Sequence, residues 1–262
     1  MARIFITGSS DGLGLRSAQA LAKRGHDVYL HARNGQRAAD ARAACPAAKD
    51  VFVADLTSIE ETKALAAQLN RAGPWDAVVH NAGIISSAAR LRGKEGLPAL
   101  FAVNTVAPYI VASLVTEPTP PKRHIFLSSS MHRGGDASLR DLRGSSYSDS
   151  KLHNILLAFW FARRLAPQGV LSNALDPGWV PTKMGGRNAP DDINASIDTY
   201  VLLAEGSGAA ESQTGKYWYH SRPRGSAASG ADSAYADAAD DEAKQDQLIT
   251  ALEEISGVKP PQ

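Results

Sequence analysis

Short apolar, β-branched runs recur along the chain and alternate with longer stretches of helical composition or spacing. The runs RIFITG (3–8), DVYLHA (27–32), DVFVA (50–54), WDAVVHN (75–81), RHIFLS (123–128), VLSNAL (170–175) and GKYWYH (215–220) predict seven strands. Helices are predicted between them at 12–24, 35–45, 58–72, 96–115 and 149–166. The third carries a cap signal, Ser58 followed by Glu60 and Glu61, and stops near Gly73-Pro74. Near-continuous apolar strands separated by helices imply a parallel sheet covered on both faces. The right-handed crossover rule then makes a doubly wound α/β sheet of about seven strands, in the order 3-2-1-4-5-6-7, the simplest topology.

Two regions break the alternation. Residues 131–146 (MHRGGDASLRDLRGSS) are polar and glycine-bearing, which predicts a surface loop. Residues 221–239 (SRPRGSAASGADSAYADAA) have the composition of a flexible linker. Beyond it, 240–256 reads as an amphipathic helix with Leu248, Ile249, Leu252 and Ile255 on one face and Gly257 as its stop. The expected organisation is therefore a single catalytic domain over 1–220, a linker over 221–239, and a C-terminal helix and tail over 240–262 docked on the domain.

Composition narrows the classes. The 262 residues are 44% hydrophobic and 21% charged, ordinary for a chain with a sizeable core. Lys+Arg 28 against Asp+Glu 27 leaves no electrostatic footprint for nucleic acid or an anionic membrane. No stretch approaches the roughly 18 apolar residues of a membrane span. MARIFITG enters a strand at once, without the pattern of a signal peptide, and Cys45 is the only cysteine. A cytoplasmic protein is the expectation. No histidines, cysteines or carboxylates stand at metal-ligand spacing, so no metal site is expected.

The first strand ends in Gly8-Ser9-Ser10-Asp11-Gly12-Leu13-Gly14, which admits two chemistries. Gly8-x-Ser10-x-Gly12 fits the nucleophile elbow of serine hydrolases, with Ser10 as nucleophile. Gly8-x3-Gly12-x-Gly14 instead fits a turn whose backbone lets a pyrophosphate approach the start of a helix. The elbow needs an Asp and His downstream as partners, and none stands out as a pair. The second strand ends in HARN, where a dinucleotide site for NAD would carry a carboxylate. Arg33 stands there instead, suited to a 2′-phosphate, and so favours NADP(H). Asp11 opposes phosphate binding in the same turn.

Tyr147 is the only tyrosine with a lysine four residues on, Lys151, a spacing that puts both on one face of a helix. A nearby ammonium favours the phenolate, and bringing a tyrosine from ~10 to ~7 takes roughly 4 kcal/mol. The fifth strand ends in LSSS, and Ser129 there could donate a hydrogen bond to a carbonyl oxygen as charge develops on it. Each of these signals also arises by chance.

Taken together, the motifs resemble the short-chain dehydrogenase/reductase family, in its carbonyl-reductase-like branch, over residues 2–185. The resemblance rests on T-G-x3-G-x-G at Thr7–Gly14, Asp55 in ADL, Asn81-Ala82-Gly83, Asn104 in AVNTVAPY, the strand-end serine, Tyr147-x3-Lys151, Pro177-Gly178, and Thr182. It implies a Rossmann-type fold and a catalytic set of four. Tyr147 would protonate a carbonyl oxygen as hydride arrives from NADPH, and Ser129 would orient that oxygen. Lys151 would lower the Tyr147 pKa and hold the nicotinamide ribose, and Asn104 would hold a relay water. Alignment to the family's V-S-S selects Ser129 over Ser128 and Ser130. The implied cofactor contacts are Gly8, Ser10, Gly12, Leu13, Gly14, Arg33, Asn34, Asp55, Leu56, Asn81, Ala82, Gly83, Tyr147, Lys151, Pro177, Gly178, Val180 and Thr182.

His80 replaces the asparagine common before Asn-Ala-Gly and is expected to be structural. His132 and His153 flank the site region, and Lys183 and Met184 would border a substrate entrance. Residues 185–200 would form a mobile lid. The implied substrate is a small carbonyl compound or alcohol. The implied assembly is a homodimer or homotetramer through the helices at 96–115 and 149–166. A cofactor-binding sensor without turnover is the competing reading.

Overall fold

The computed structural model of the chain describes residues 1–85, 91–229 and 234–261. At its centre lies one sheet of order β3-β2-β1-β4-β5-β6-β7-β8. The strands are β1 (Arg3–Ile6), β2 (Asp27–Ala32), β3 (Asp50–Val53), β4 (Ala77–His80), β5 (Arg123–Leu127), β6 (Leu171–Asp176), β7 (Tyr217–Tyr219) and β8 (Arg222–Arg224). All pairings from β3 to β7 are parallel. Ile4, Phe5 and Ile6 of β1 are all fully buried, which is why this strand reads as an unbroken apolar run.

Helices α1 (Gly12–Lys23), α2 (Gly35–Ala44) and α7 (Ile193–Glu205) cover one face. There Leu21, Ala41 and Leu203 pack with Ile4, Ile6 and Leu30. The other face carries α3 (Ile59–Ala72), α5 (Ala107–Leu114) and α6 (Tyr147–Leu165), with α8 (Glu242–Ser256) outside them. Local chemistry starts these helices where expected. Ser58 caps α3 by accepting from the Glu61 amide, and Ser146 and Asp149 form a reciprocal capping box at the head of α6. No helix among the described residues is long and apolar enough to cross a membrane.

Three segments depart from the sequence reading. The eighth strand lies inside the stretch expected to be linker, at Arg222–Arg224, antiparallel to β7. His220 and Ser221 turn the hairpin with φ of 47° and 58°, and the Thr199 hydroxyl accepts from the Ser221 amide at 2.8 Å. Without Gly or Asn at these positions the turn is silent in the sequence. Pro223 is tolerated because β8 is the sheet edge. Residues 230–233 of the expected linker lie outside the described residues.

The helix expected over 96–115 is instead α4 (Ala99–Phe101), a π-helical turn at Ala102–Val106, and α5. The expected lid becomes α7 from Ile193 onward, with Ser196, Thr199 and Tyr200 buried. Ahead of it, the Asp191 carboxylate accepts from the Trp179 amide at 2.6 Å and fixes the loop.

Candidate functional site

The strand order reverses between β1 and β4, and at their carboxyl ends a cleft of about 760 Å³ opens. Its floor is built from backbone. The chain leaves β1 through Gly8 and Gly12, both with φ near +60° (61° and 57°). A Cβ on Gly8 would stand 2.8 Å from the Ala82 Cα, and one on Gly14 would stand 2.4 Å from the Asn81 Nδ2. The Asn81 amide nitrogen Nδ2 donates to the carbonyls of Thr7 (2.8 Å) and Gly8 (3.1 Å). Thr7 Oγ1 in turn accepts from the backbone amides of Asn81 and Ala82 at 2.9 and 3.0 Å. The two strand ends are thus laced together, and bare backbone faces the cleft.

Beneath the turn, His31 Nδ1 accepts from the Gly8 amide at 2.9 Å and Nε2 faces the Ala54 carbonyl at 3.0 Å. Burial drives this ring down to a pKa of about 4, so it stays neutral and keeps Nδ1 as an acceptor.

Gly8, Ser10, Gly12, Leu13 and Gly14 line the cleft, with Asn81, Ala82 and Gly83 opposite. Arg33, Asp55, Leu56 and Thr182 line it as well. Asn34 does not: it caps α2 by accepting from the Arg37 amide at 2.9 Å. Pro177, Gly178 and Val180 stand back from the cleft wall, and Val180 is buried. Gly178 is needed for shape: its φ is +78°, and a Cβ would meet the Asp191 carboxylate at 2.5 Å. Among the described residues the side-chain partner of the Ser10 hydroxyl is a cation, Arg37 Nη2 at 3.2 Å, and not the His base that a nucleophile elbow uses.

The polar set expected to carry chemistry stands behind Gly83. Tyr147 is the first residue of α6 and Lys151 lies one turn on, with its Nζ 5.3 Å from the phenol ring centre. Lys151 Nζ donates to the Leu127 carbonyl at 2.9 Å, and a Cβ on Gly83 would lie 3.5 Å from it. Asn104, in the π-helical turn, is fully buried. Its Oδ1 accepts from the Ile84 amide at 2.8 Å and its Nδ2 donates to the Ser150 hydroxyl at 3.0 Å. The widened turn is what lets this amide face the Ile84 backbone and α6 together.

The three serines separate by partner. Ser128 is buried and donates to the Lys151 carbonyl at 2.8 Å, pinning α6 to β5. Ser129 caps a short 3₁₀ turn (Ser130–Gly134) by accepting from the Met131 amide at 3.3 Å, and its hydroxyl pulls the Tyr147 phenol toward a lower pKa, while Ser130 begins that turn exposed.

The expected depression of the Tyr147 pKa is not what this environment produces. Burial first, then the Asp176 carboxylate, push the phenol up to about 12, against the opposing pull of the Ser129 hydroxyl. Burial pushes Lys151 down to about 8, with Asp176 opposing. Desolvation is the dominant influence in both cases, and the phenol keeps its proton.

Of the histidines, His80 is buried and stacked on Phe126, with Nε2 3.1 Å from Nδ1 of His124. His132 and His153 are buried too, engaged by the Ser129 carbonyl and the Ala236 amide, and by Thr105. Neither lines the cleft. Lys183 and Met184 do border the cleft, and Lys183 Nζ reaches across it to Asp11 at 2.5 Å.

Three residues of the site went unread in the sequence. Arg37 lines the cleft from the first turn of α2, four residues beyond Arg33, and this second arginine close by could have flagged it. Asp176, at the end of β6, accepts from the Tyr217 hydroxyl at 2.6 Å and from the Gly178 amide at 2.8 Å. Tyr200 of α7 donates to Asn81 Oδ1 at 2.8 Å, a contact between distant segments with no local signal.

The family model of the short chain dehydrogenases matches residues 2–192. The chain belongs to that family. An oxidoreductase of Emericella nidulans, AN7799, is 43% identical over 100% of this chain and 99% of its own. The short-chain dehydrogenase chry4 of Gibberella zeae is 42% identical over 100% and 99%. The crystal structure of an uncharacterized Mycobacterium paratuberculosis protein shares the fold with a TM-score of 0.78 at 21% identity, over 100% of this chain and 96% of that one. The RhlG/NADP active-site complex of Pseudomonas aeruginosa does so with a TM-score of 0.64 at 22% identity, over 82% and 93%. The short-chain dehydrogenase fold described here is that of a nucleotide-binding oxidoreductase, its strand order extended by β8.

Proposed function

We propose that this short-chain dehydrogenase is an NADPH-preferring reductase of a small ketone or aldehyde. The observation that carries the reading is the pairing of a half-buried Tyr147 with the buried Lys151, whose Nζ lies 5.3 Å from the phenol ring centre and 3.5 Å from where a Cβ on Gly83 would stand. The glycine floor fits a dinucleotide because it leaves backbone, without Cβ atoms, against the cleft. Gly8, Ser10, Gly12, Leu13 and Gly14 would hold the pyrophosphate side, and Asp55, Leu56, Asn81, Ala82 and Gly83 the adenosine and ribose side. Pro177, Gly178, Val180 and Thr182 would shape the nicotinamide end, and Asn34 acts only by holding Arg37 and α2. Two guanidiniums, Arg33 and Arg37, in the cleft wall support a 2′-phosphate and hence NADPH over NADH. The NADP bound by RhlG is consistent with that preference.

When bound, the dinucleotide supplies the hydride. Tyr147 supplies the proton: a phenol held near 12 is fully protonated at neutral pH and is a stronger acid than the alcohol that forms. Ser129, whose hydroxyl acts on the phenol, would orient the carbonyl oxygen and stabilise its developing charge. Lys151 would hold the nicotinamide ribose, and Asn104 would hold a water that links Lys151 to solvent for reprotonation of Tyr147.

The test is NADPH absorbance followed against a broad panel of aldehydes and ketones. At least one carbonyl should consume NADPH, and NADH should serve much less well. Tight NADPH binding with no consumption across the panel would overturn the reading in favour of a sensor.

A further inference from the structure

Among the described residues, Asp176 is the one buried carboxylate and Lys151 the one buried Lys or Arg, 3% and 2% exposed. Both stand at the reaction end. A buried charge is costly unless an opposite charge and hydrogen bonds compensate it. The direct donors to Asp176 are neutral: the Tyr217 hydroxyl reaches Oδ2 at 2.6 Å and the Gly178 amide reaches Oδ1 at 2.8 Å. Lys151 Nζ donates to the Leu127 carbonyl at 2.9 Å, again a neutral partner.

The sheet brings the two charges together. Leu127 of β5 pairs with Leu175 of β6, so the carbonyl that holds the ammonium lies one residue back from Asp176 on the neighbouring strand. The Ser128 amide donates to the Leu175 carbonyl at 2.7 Å and fixes that register at the strand ends. Tyr217, whose hydroxyl reaches the carboxylate, belongs to the apolar cluster that includes Leu152 and Ile155 of α6. Asp176 is therefore held on the α6 side of the sheet.

The ionisable groups that face Asp176 are Tyr147 and Lys151 from α6, Tyr217 and Tyr219 from β7, and His132 from the 3₁₀ turn. Arg133 acts on His132 and Tyr217, and Tyr200 of α7 feels Tyr147. Burial holds His132 below its usual range, which leaves Lys151 as the cation among the groups that face the carboxylate. Asp176 opposes the burial that pushes Lys151 down to about 8, and adds to the burial that pushes Tyr147 up to about 12.

We propose that Asp176 is the buried counter-charge of the reaction end, a positioning residue that holds the Lys151 ammonium and the Tyr147 phenol in their protonated forms from the end of β6. Its bearing on Tyr147 rests on the proposed reaction, and its pairing with Lys151 does not. Asp176→Asn keeps an acceptor for the Gly178 amide and removes the charge. Inside the fold Lys151 then loses its proton more readily, while the unfolded lysine, at ~10.4, stays charged. The variant should therefore lose stability more steeply than wild type as pH falls from 8.5 to 7. Urea midpoints of the two proteins should move apart over that range, and a separation that is the same at both pH values would overturn the pairing. The double variant Asp176→Asn/Lys151→Met buries neither charge and should lose this extra pH dependence. It should also fold where Asp176→Asn alone does not, and a double variant as unstable as Asp176→Asn would overturn the pairing equally. In alcohol oxidation with NADP⁺, where Tyr147 takes up a proton, the acid limb of kcat should move to lower pH in Asp176→Asn by roughly one pH unit. An unmoved limb would overturn the bearing on Tyr147. Wild type without turnover on any alcohol or carbonyl would count against the proposed reaction, and the urea midpoints alone then decide the pairing.

Discussion

The cofactor cleft between β1 and β4 is held by backbone, whereas the proposed reaction end beside α6 is built from polar side chains, Lys151 and Asn104 buried and Tyr147 and Ser129 half-buried. At the first, Gly8 and Gly14 leave no room for a Cβ, and Thr7, Asn81 and His31 are spent on lacing backbone groups together. At the second, Tyr147, Lys151, Asn104 and Ser129 are ordinary residues whose proton affinities and orientations come from burial and neighbours. The contrast teaches where each region is vulnerable. Adding an atom damages the cleft, while removing a polar atom damages the reaction end.

The largest effect touches both regions through pH. His31 below the glycine turn, and His124 and His153 around β5 and α6, are each pushed by burial to about 4. Their folded pKa values lie below the unfolded 6.5, so their stabilising contribution is present above pH 6.5 and is lost as pH falls toward 4. Between pH 7 and 5.5 each should cost about 1.2 kcal/mol, roughly 3.5 kcal/mol for the three together. Urea midpoints at the two pH values check this, and equal midpoints would mean these rings protonate freely in the fold.

Next, Ser129→Ala should lower kcat roughly 10²–10³-fold with little change in melting temperature. Ser128→Ala should do the reverse, costing about 1 kcal/mol of stability through its lost bond to the Lys151 carbonyl while kcat largely survives. Exchange of these two outcomes would mean that the reaction end is served by Ser128.

A smaller effect is expected from one methyl group in the cleft. Gly14→Ala places a Cβ against Asn81 Nδ2 and the Gly8 carbonyl, and should cost about 1–3 kcal/mol, read as weaker NADPH binding and a lower melting temperature. Wild-type values in both would refute a backbone-held cleft. Smallest, Arg37→Ala should weaken NADPH about tenfold and leave NADH nearly unchanged, by fluorescence titration. Equal losses for both cofactors would remove the 2′-phosphate role.

The cleft was legible because close backbone approach demands glycines at fixed spacing, and a strand–turn–helix carries them within a few residues. Tyr147 and Lys151 were legible for a similar reason, one helical turn. What sequence could not supply was depth. The same Tyr–Lys pair reads as an activated phenolate in isolation, but burial and Asp176, brought alongside by β6, raise the phenol instead. Tyr200 on Asn81 and the hairpin through His220 and Ser221 arise from packing between remote segments, with no residue at either place announcing them. The apolar stripe of α8 was visible, and only the fold reveals that it covers α6.

The most direct test is Tyr147→Phe with NADPH binding and carbonyl-dependent NADPH oxidation measured side by side. The account predicts a dissociation constant within a few-fold of wild type and a fall in kcat of roughly 10²–10⁴. Retention of wild-type turnover would contradict the assignment of Tyr147 as the proton donor, whatever the cofactor affinity.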